Sequence, residues 1–179
     1  MYDDFPAELT TERLHLRRWR RSDAEEYRGL WVERDVRALR RIDAEGRPTV
    51  EEIRRWLTDN PLAADAGLGL LPIELRATGE FIGYCGLTVG QATFGEPEIA
   101  YELAARAHGH GYATEAARAV VEAAARTGRQ RLWATVREWN EASFRVLEKL
   151  GFERSGRVTE DPERGASIWM TRALGQPLA

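Results

Sequence analysis

The sequence predicts a mixed α/β (α+β) fold, one mixed sheet with helices on its faces. Two observations carry this. Short runs of period-two alternation are interleaved with longer runs of period 3.6, in the order β-α-α-β-β-β-α-β-α-β-β. Capping residues and glycines stand where one period gives way to the other, so pattern and local chemistry agree. Length supports it: 179 residues suit one domain with a real core and would cramp two.

The segment "RLHLRRW" (Arg13–Trp19) alternates at Leu14 and Leu16 and reads as a strand. A helix should follow, with Ser22 as N-cap, Glu25 three residues on, and Tyr27, Leu30, Trp31 and Leu39 at helical spacing. In "RPTVEEIRRWLTD", Thr49 caps a second helix and Glu52 completes its capping box. Ile53, Trp56 and Leu57 form its inner stripe, and Pro61 and Gly67 end it. Two strands then flank a turn at Ala77-Thr78-Gly79. "EPEIAYEL" is a further strand, with Ile99, Tyr101 and Leu103 on one face and Glu98 and Glu102 on the other. A helix runs from about Tyr112 to Thr127, then the strand "RLWATV". The helix "NEASFRVLEKLGF" is capped by Asn140 and stopped by Gly151. A last hairpin turns at Asp161–Gly165.

Composition narrows the function. With 43% hydrophobic and 31% charged residues, the chain reads as an ordinary soluble globular protein. A net charge of -3 gives no large positive field, which argues against nucleic acid or a membrane surface as partner. No apolar run is long enough to span a bilayer. "MYDDFPAELTTERL" lacks the basic-then-apolar order of a secretory signal, and Cys85 is alone, so a cytoplasmic location is expected. Among the 26 basic residues only Lys149 is a lysine. The arginines are spread along the chain and mixed with acids, which reads as composition bias.

"ARAHGHGYA" leads directly into a helix. The first amides of a helix lack intrahelical partners and carry the positive end of its dipole. Glycines before them let the backbone approach an anion, so the segment has the layout of a phosphate cradle. The amides of Gly109, His110, Gly111, Tyr112 and Ala113 would face it. A Walker loop needs a Lys that is absent, and a dinucleotide fingerprint needs Gly or Ala where Thr114 stands. Glycines serving only close packing remain the alternative at this point. His108 and His110 lack Cys, Asp or Glu partners at a recognised spacing, so no metal is expected.

Taken with "NEASFRVLEKLGFERSG", "ELTTERLHLRRW" and "EIAYEL", the segment His108-Gly109-His110-Gly111-Tyr112-Ala113 resembles the GNAT superfamily of acetyl-CoA-dependent N-acetyltransferases, in particular its RimJ/RimL-type branch. The likeness spans roughly Leu9 to Ala173, within a single domain over 1–179. It implies a mostly antiparallel sheet of about seven strands, splayed between two central parallel ones, Glu98–Leu103 and Leu132–Val136. It also implies acetyl-CoA as co-substrate. Pantetheine would lie along Tyr101, Leu103 and Ala105, and the pyrophosphate in the cradle from His108 to Thr114. Asn140 would touch the same ligand. His108 departs from the family's Arg or Gln, which leaves Arg106 as the candidate for a fixed charge there. The two imidazoles would make affinity rise below neutral pH.

The resemblance further implies direct attack by an amine, so no nucleophilic residue is needed; Cys85 reads as packing. Glu98 and Glu102 are the candidate bases and Ser143 the candidate acid for the leaving thiolate. The acceptor site would lie against the loop between the first two helices and the last hairpin. Trp31, Trp56, Trp139 and Trp169 are the large groups available, of which Trp31 and Trp56, at helical spacing, read as packing. Arg34, Asp35, Arg37, Arg40, Arg41 and Asp43 read as a solvated face, though their loop position also makes them the expected specificity element. The acceptor would be a protein N-terminal α-amine or a small-molecule amine such as an aminoglycoside or polyamine. Glu98, Glu102, Asp161 and Glu163 would suit a polycation. A non-catalytic acyl-CoA sensor is the reading from another class. A monomer or homodimer is expected.

Overall fold

The computed structural model describes residues 2–38, 40–59 and 68–175. Eight strands form one sheet: β1 (Leu9–Thr10), β2 (Leu14–Leu16), β3 (Gly69–Leu75), β4 (Phe81–Thr88), β5 (Glu98–Leu103), β6 (Arg131–Arg137), β7 (Glu153–Thr159) and β8 (Ser167–Ala173). Four helices join them: α1 (Ala24–Glu33), α2 (Val50–Asp59), α3 (Tyr112–Arg126) and α4 (Glu141–Lys149). The sheet order is β1-β2-β3-β4-β5-β6-β8-β7. The eighth strand, beyond the seven expected, is the two-residue β1, which pairs with β2 through Leu9↔Leu16 and Thr10↔His15.

Every pairing is antiparallel except β5 with β6. That parallel pair has a single point of register, Glu98↔Trp133, reinforced by the Trp133 amide donating to the Pro97 carbonyl at 2.9 Å. Beyond it the strands part. A parallel ladder would ordinarily continue with evenly spaced bonds. Here the backbone of β5 from Ile99 onward is paired on the β4 side only.

The capping chemistry sets most helix boundaries. Thr49 Oγ1 accepts from the Glu52 amide at 3.2 Å, and Glu52 accepts from the Thr49 amide at 2.8 Å, a complete capping box. Asn140 Oδ1 accepts from the Ser143 amide at 3.2 Å. The first helix departs from expectation. Ser22 lies in a 3-10 turn (Arg21–Asp23), and α1 begins at Ala24. Asp23 is drawn away from capping: its carboxylate accepts from the Arg20 amide at 2.7 Å and from both terminal nitrogens of buried Arg17 at 2.8 Å. At its other end α1 stops at Glu33, where Arg34 turns to extended backbone. Leu39, Pro61 and Gly67, invoked in the sequence reading, lie outside the described residues.

The core is divided by the sheet. Consecutive residues on β4 go to different sides: Tyr84 packs with α1 and α2, while Cys85 packs with α3. The larger cluster joins Leu14, Ile73, Ile82 and Leu132 to Val120 of α3 and Leu147 of α4. The smaller joins Tyr27 and Leu30 of α1 to Ile53 and Leu57 of α2, over Phe81. Trp31 and Trp56 belong to this second cluster, and Trp169 is fully buried. None of the three lines the cleft described below.

Strands β4 and β5 approach closely at Gly83. Its φ is +147°, and a Cβ there would stand 2.1 Å from the Glu102 carbonyl oxygen. The contact is with backbone, so it cannot relax by rotamer change. Gly83→Ala is expected to destabilise by about 2–4 kcal/mol, read as a lower urea midpoint at unchanged slope.

Candidate active site

The parting of β5 and β6 opens a cleft of about 720 Å³ between the C-terminal end of β5, the start of α3, the face of α4 and the end of α1. Tyr101, Glu102, Leu103, Ala105, His108, Gly109, Gly111, Tyr112, Ala113, Thr114, Asn140 and Ser143 all line it. Residues 42 apart in sequence meet where the Tyr101 hydroxyl, on β5, donates across the gap to the Ser143 carbonyl of α4 at 3.1 Å. Burial pushes the Tyr101 phenol well above its ordinary value, and the bond to Ser143 only partly offsets this, so it stays a donor.

At one end the cleft meets the start of α3. Gly109 and Gly111 both have φ of +80°, and a Cβ at Gly109 would meet nothing within 4 Å. Among the described residues the amides of Gly109, Gly111, Tyr112, Ala113 and Thr114 have no acceptor; the first to find one is Glu115, on the Gly111 carbonyl at 3.0 Å. Such a cluster of free amides at a helix start fits an anion. His108 lines the cleft with its Nε2 2.9 Å from the Leu103 carbonyl, which it meets as an N–H donor. The His110 ring stacks instead on Tyr112, centroids 5.4 Å apart, and does not line the cleft.

Arg106 is also directed elsewhere. Its Nε donates to Glu80 at 2.7 Å and its Nη2 to the Phe81 carbonyl at 2.6 Å. The cations on the cleft wall near α3 are Arg145 and Lys149, one turn apart on α4. The spacing was visible in the sequence; which face of α4 met the gap was not.

The cradle is braced from the turn between β1 and β2. Glu115 accepts from Thr11 Oγ1 at 2.6 Å, from the Arg13 amide at 2.9 Å and from Arg13 Nε at 2.7 Å. Arg13 Nη1 also donates to the His110 carbonyl at 3.0 Å. No sequence signal pairs residues a hundred positions apart, so this brace was missed.

The acidic candidates separate. Glu98 does not line the cleft. Its carboxylate is buried at the vertex of the two strands, accepting from the Gln91 amide at 2.5 Å and from Thr135 Oγ1 at 2.7 Å. Glu102 does line it, but both of its oxygens are taken. Arg34 Nε donates to Oε1 at 2.5 Å, Arg34 Nη2 donates to Oε2, and the Tyr84 hydroxyl donates to Oε2 at 3.0 Å. Arg34 therefore leaves the solvated face assigned to it. It is mostly buried, lies 4.7 Å over the Trp31 ring, and is kept charged by Glu102 against the opposing effect of burial. Asp161 is bound by Arg137 at 2.9 Å, Glu163 pairs with Arg164, and neither lines the cleft. Trp139 does, with the Arg37 guanidinium 4.1 Å over its ring.

Cys85 is buried, and burial pushes its thiol far above the ordinary value, so it carries no thiolate. Among the described residues, no three of His, Cys, Asp and Glu are grouped to hold a metal. No described helix is long and apolar enough to cross a membrane.

Residues 13–153, which hold the parted strands and the helix start with its free amides, match the family model of the acetyltransferase (GNAT) domain. The chain belongs to the GNAT acetyltransferase family. It is 27% identical over 154 residues to the uncharacterized N-acetyltransferase p20 of Bacillus licheniformis, covering 83% of each chain. An acetyltransferase from Agrobacterium tumefaciens shares its fold at TM-score 0.71 and 28% identity, covering 96% of each. Mycobacterium smegmatis RimJ, solved in complex with CoA-disulfide, shares the fold at TM-score 0.69 and 23% identity, covering 89% of this chain and 81% of that one. This GNAT chain is accordingly an acyltransferase of a family that uses acetyl-CoA.

Burial works against the Glu115 charge, but the bonds from Thr11 and Arg13 outweigh it and hold the carboxyl below its ordinary value of 4.5. A carboxyl depressed in the fold stabilises above its unfolded value, and loses that effect as pH falls through the folded one. Glu115→Gln is expected to destabilise by about 1–2 kcal/mol at pH 7, allowing for the half-exposed Arg13. Urea unfolding should show this gap close as the pH drops below 4.5.

Proposed function

We propose that the chain, as one domain with its core over residues 9–173, moves acetyl from acetyl-CoA directly to a single primary amine. We take this to be the α-amine at a protein N-terminus, in the manner of the RimJ/RimL-type branch. The carrying observation is the continuous wall from the free amides of the cradle into the gap beside β5.

Bound acetyl-CoA supplies an activated thioester carbonyl. The amides from Gly109 to Thr114 hold its pyrophosphate, with His108 at the first position of the motif and Arg145 and Lys149 on the facing helix. Neither Arg106 nor the His110 side chain takes part, because both are engaged away from the cleft. The edge of β5 at Tyr101 and Leu103, with Ala105 just beyond it, receives pantetheine, and a β5 amide facing the gap polarises the carbonyl. Asn140 braces Ser143 through its cap, and the Ser143 hydroxyl protonates the departing thiolate.

The acceptor wall favours one amine over a polycation. Of the four acids that would have formed a polycation pocket, only Glu102 reaches the cleft, and Arg34 neutralises it. Arg37 is likewise neutralised by Asp35. A spermidine-like acceptor would find few uncompensated charges.

Calorimetry with acetyl-CoA should give one-to-one binding, weakened at least about tenfold in Gly111→Leu, where a side chain would meet both positive φ and the anion. Ser143→Ala should lower kcat by about 10–100-fold while leaving acetyl-CoA affinity unchanged. A thiol-release assay should show a peptide with a free N-terminus turned over at least about tenfold more efficiently than spermidine, a gap of about 1.4 kcal/mol. Equal efficiency would overturn the acceptor assignment.

A further inference from the structure

Resting on that reading, we infer that Glu33, at the last residue of α1, is the group that takes the proton from the acceptor amine. Primary amines are mostly charged at neutral pH, so one proton must leave before nitrogen can attack. The N–C bond then forms and the C–S bond breaks. Nitrogen sheds a second proton as the amide forms. Across the turnover the sulfur gains one proton and solvent receives the other.

Three carboxylates line the cleft among the described residues: Glu33, Asp35 and Glu102. A base needs an oxygen with an unused lone pair facing the amine. Both oxygens of Glu102 are held, Oε1 by Arg34 and Oε2 by Arg34 and Tyr84, so its carboxylate cannot turn to an amine without breaking that clamp. Asp35 is equally occupied: Oδ1 accepts from the Arg37 amide and Nε, and Oδ2 from Arg37 Nη2. Glu33 differs. Only its Oε2 is engaged, accepting from the Ala105 amide at 2.8 Å, and it is exposed to solvent that can relay a proton. That amide lies just beyond β5, two residues past Leu103, so the tether holds Glu33 at the edge where donor and acceptor would meet. The contact also fixes the end of α1 against the sheet.

Other charged groups border the same space. Arg34 follows Glu33 on the chain but is directed at Glu102. Arg145 and Lys149 face the cleft from α4. His108, at the start of the cradle, is the one imidazole on the wall among the described residues, and its Nε2 is tied to the Leu103 carbonyl.

The test is the pH dependence of kcat/KM for a free-N-terminus peptide in wild type, Glu33→Gln, Glu102→Gln and His108→Gln, with acetyl-CoA affinity and thermal midpoint measured on each. Gln retains an oxygen that can accept from the Ala105 amide, so Glu33→Gln removes basicity while keeping the tether. Expected is a fall in kcat of at least about 100-fold and loss of the lower acid limb, the upper one belonging to the peptide's own α-amine, with unchanged acetyl-CoA affinity and thermal midpoint. The lower limb should persist in the other two variants. A lower limb that survives in Glu33→Gln, or disappears only in His108→Gln or Glu102→Gln, overturns the assignment. Failure of the wild type to acetylate any peptide would instead overturn the acceptor reading beneath it. If Glu33→Gln folds less stably, Glu33→Asp provides the second reading: a shortened base should keep the lower acid limb at reduced kcat, and its loss there too would mark Glu33 as structural.

Discussion

Glu98 occupies the vertex at which β5 and β6 touch, and its carboxylate reaches in two directions. One oxygen takes the Gln91 amide in the loop after β4; the other takes the Thr135 hydroxyl on β6. A buried carboxylate is tolerated only when its oxygens are satisfied, and these bonds do that while riveting the strands at one end. The loop pays for the fit in glycine: a Cβ on Gly90 would stand 2.4 Å from Glu98 Oε1. Because the rivet sits at the start of β5, divergence begins immediately after it. The gap, the free edge of β5 and the reach of Tyr101 across to α4 all follow from that one fixed point.

The α1 side of the cleft is shaped by charge pairs. Arg34 closes on Glu102 in a two-point clamp, and Arg37 on Asp35. Planar two-point pairing gives geometric specificity as well as attraction. The clamp on Glu102 lies between the Trp31 ring and the Tyr84 hydroxyl, in surroundings that exclude much of the water. Removing either partner would leave a half-buried charge without its counterion. The turn out of α1 is thereby pinned to β5, which explains why the helix ends at Glu33 although the helical hydrophobic pattern continues in the sequence.

Local chemistry was legible in the sequence. The capping box at Thr49 and Glu52, the cap at Asn140 and the glycines before α3 each act within a few residues, so spacing alone revealed them. Strand alternation correctly placed Ile99, Tyr101 and Leu103 together. It could not distinguish Glu98 from Glu102, since a shared face says nothing about which strand or loop lies opposite. Arg34 looked like one more surface arginine because its partner is 68 positions away. Asp23 likewise abandoned its helix for Arg17, a contact made only once β2 is in place. What escaped the sequence was side-chain ion pairing, six positions apart in one case and 68 in the other, which has no periodicity to read.

The two clusters of buried side chains on opposite sides of the sheet divide the labour of the molecule. The packing of α3 and α4, which supports the glycine turn before α3, shares little with the packing of α1 and α2, which supports the facing wall of the cleft. Substitutions separated in this way tend to add independently. Natural variation or directed evolution can therefore explore new residues along α1, α2 and their connection without disturbing how the cradle is built. One scaffold of this kind is suited to diversify into many amine specificities while its way of holding a nucleotide-bearing thioester stays constant.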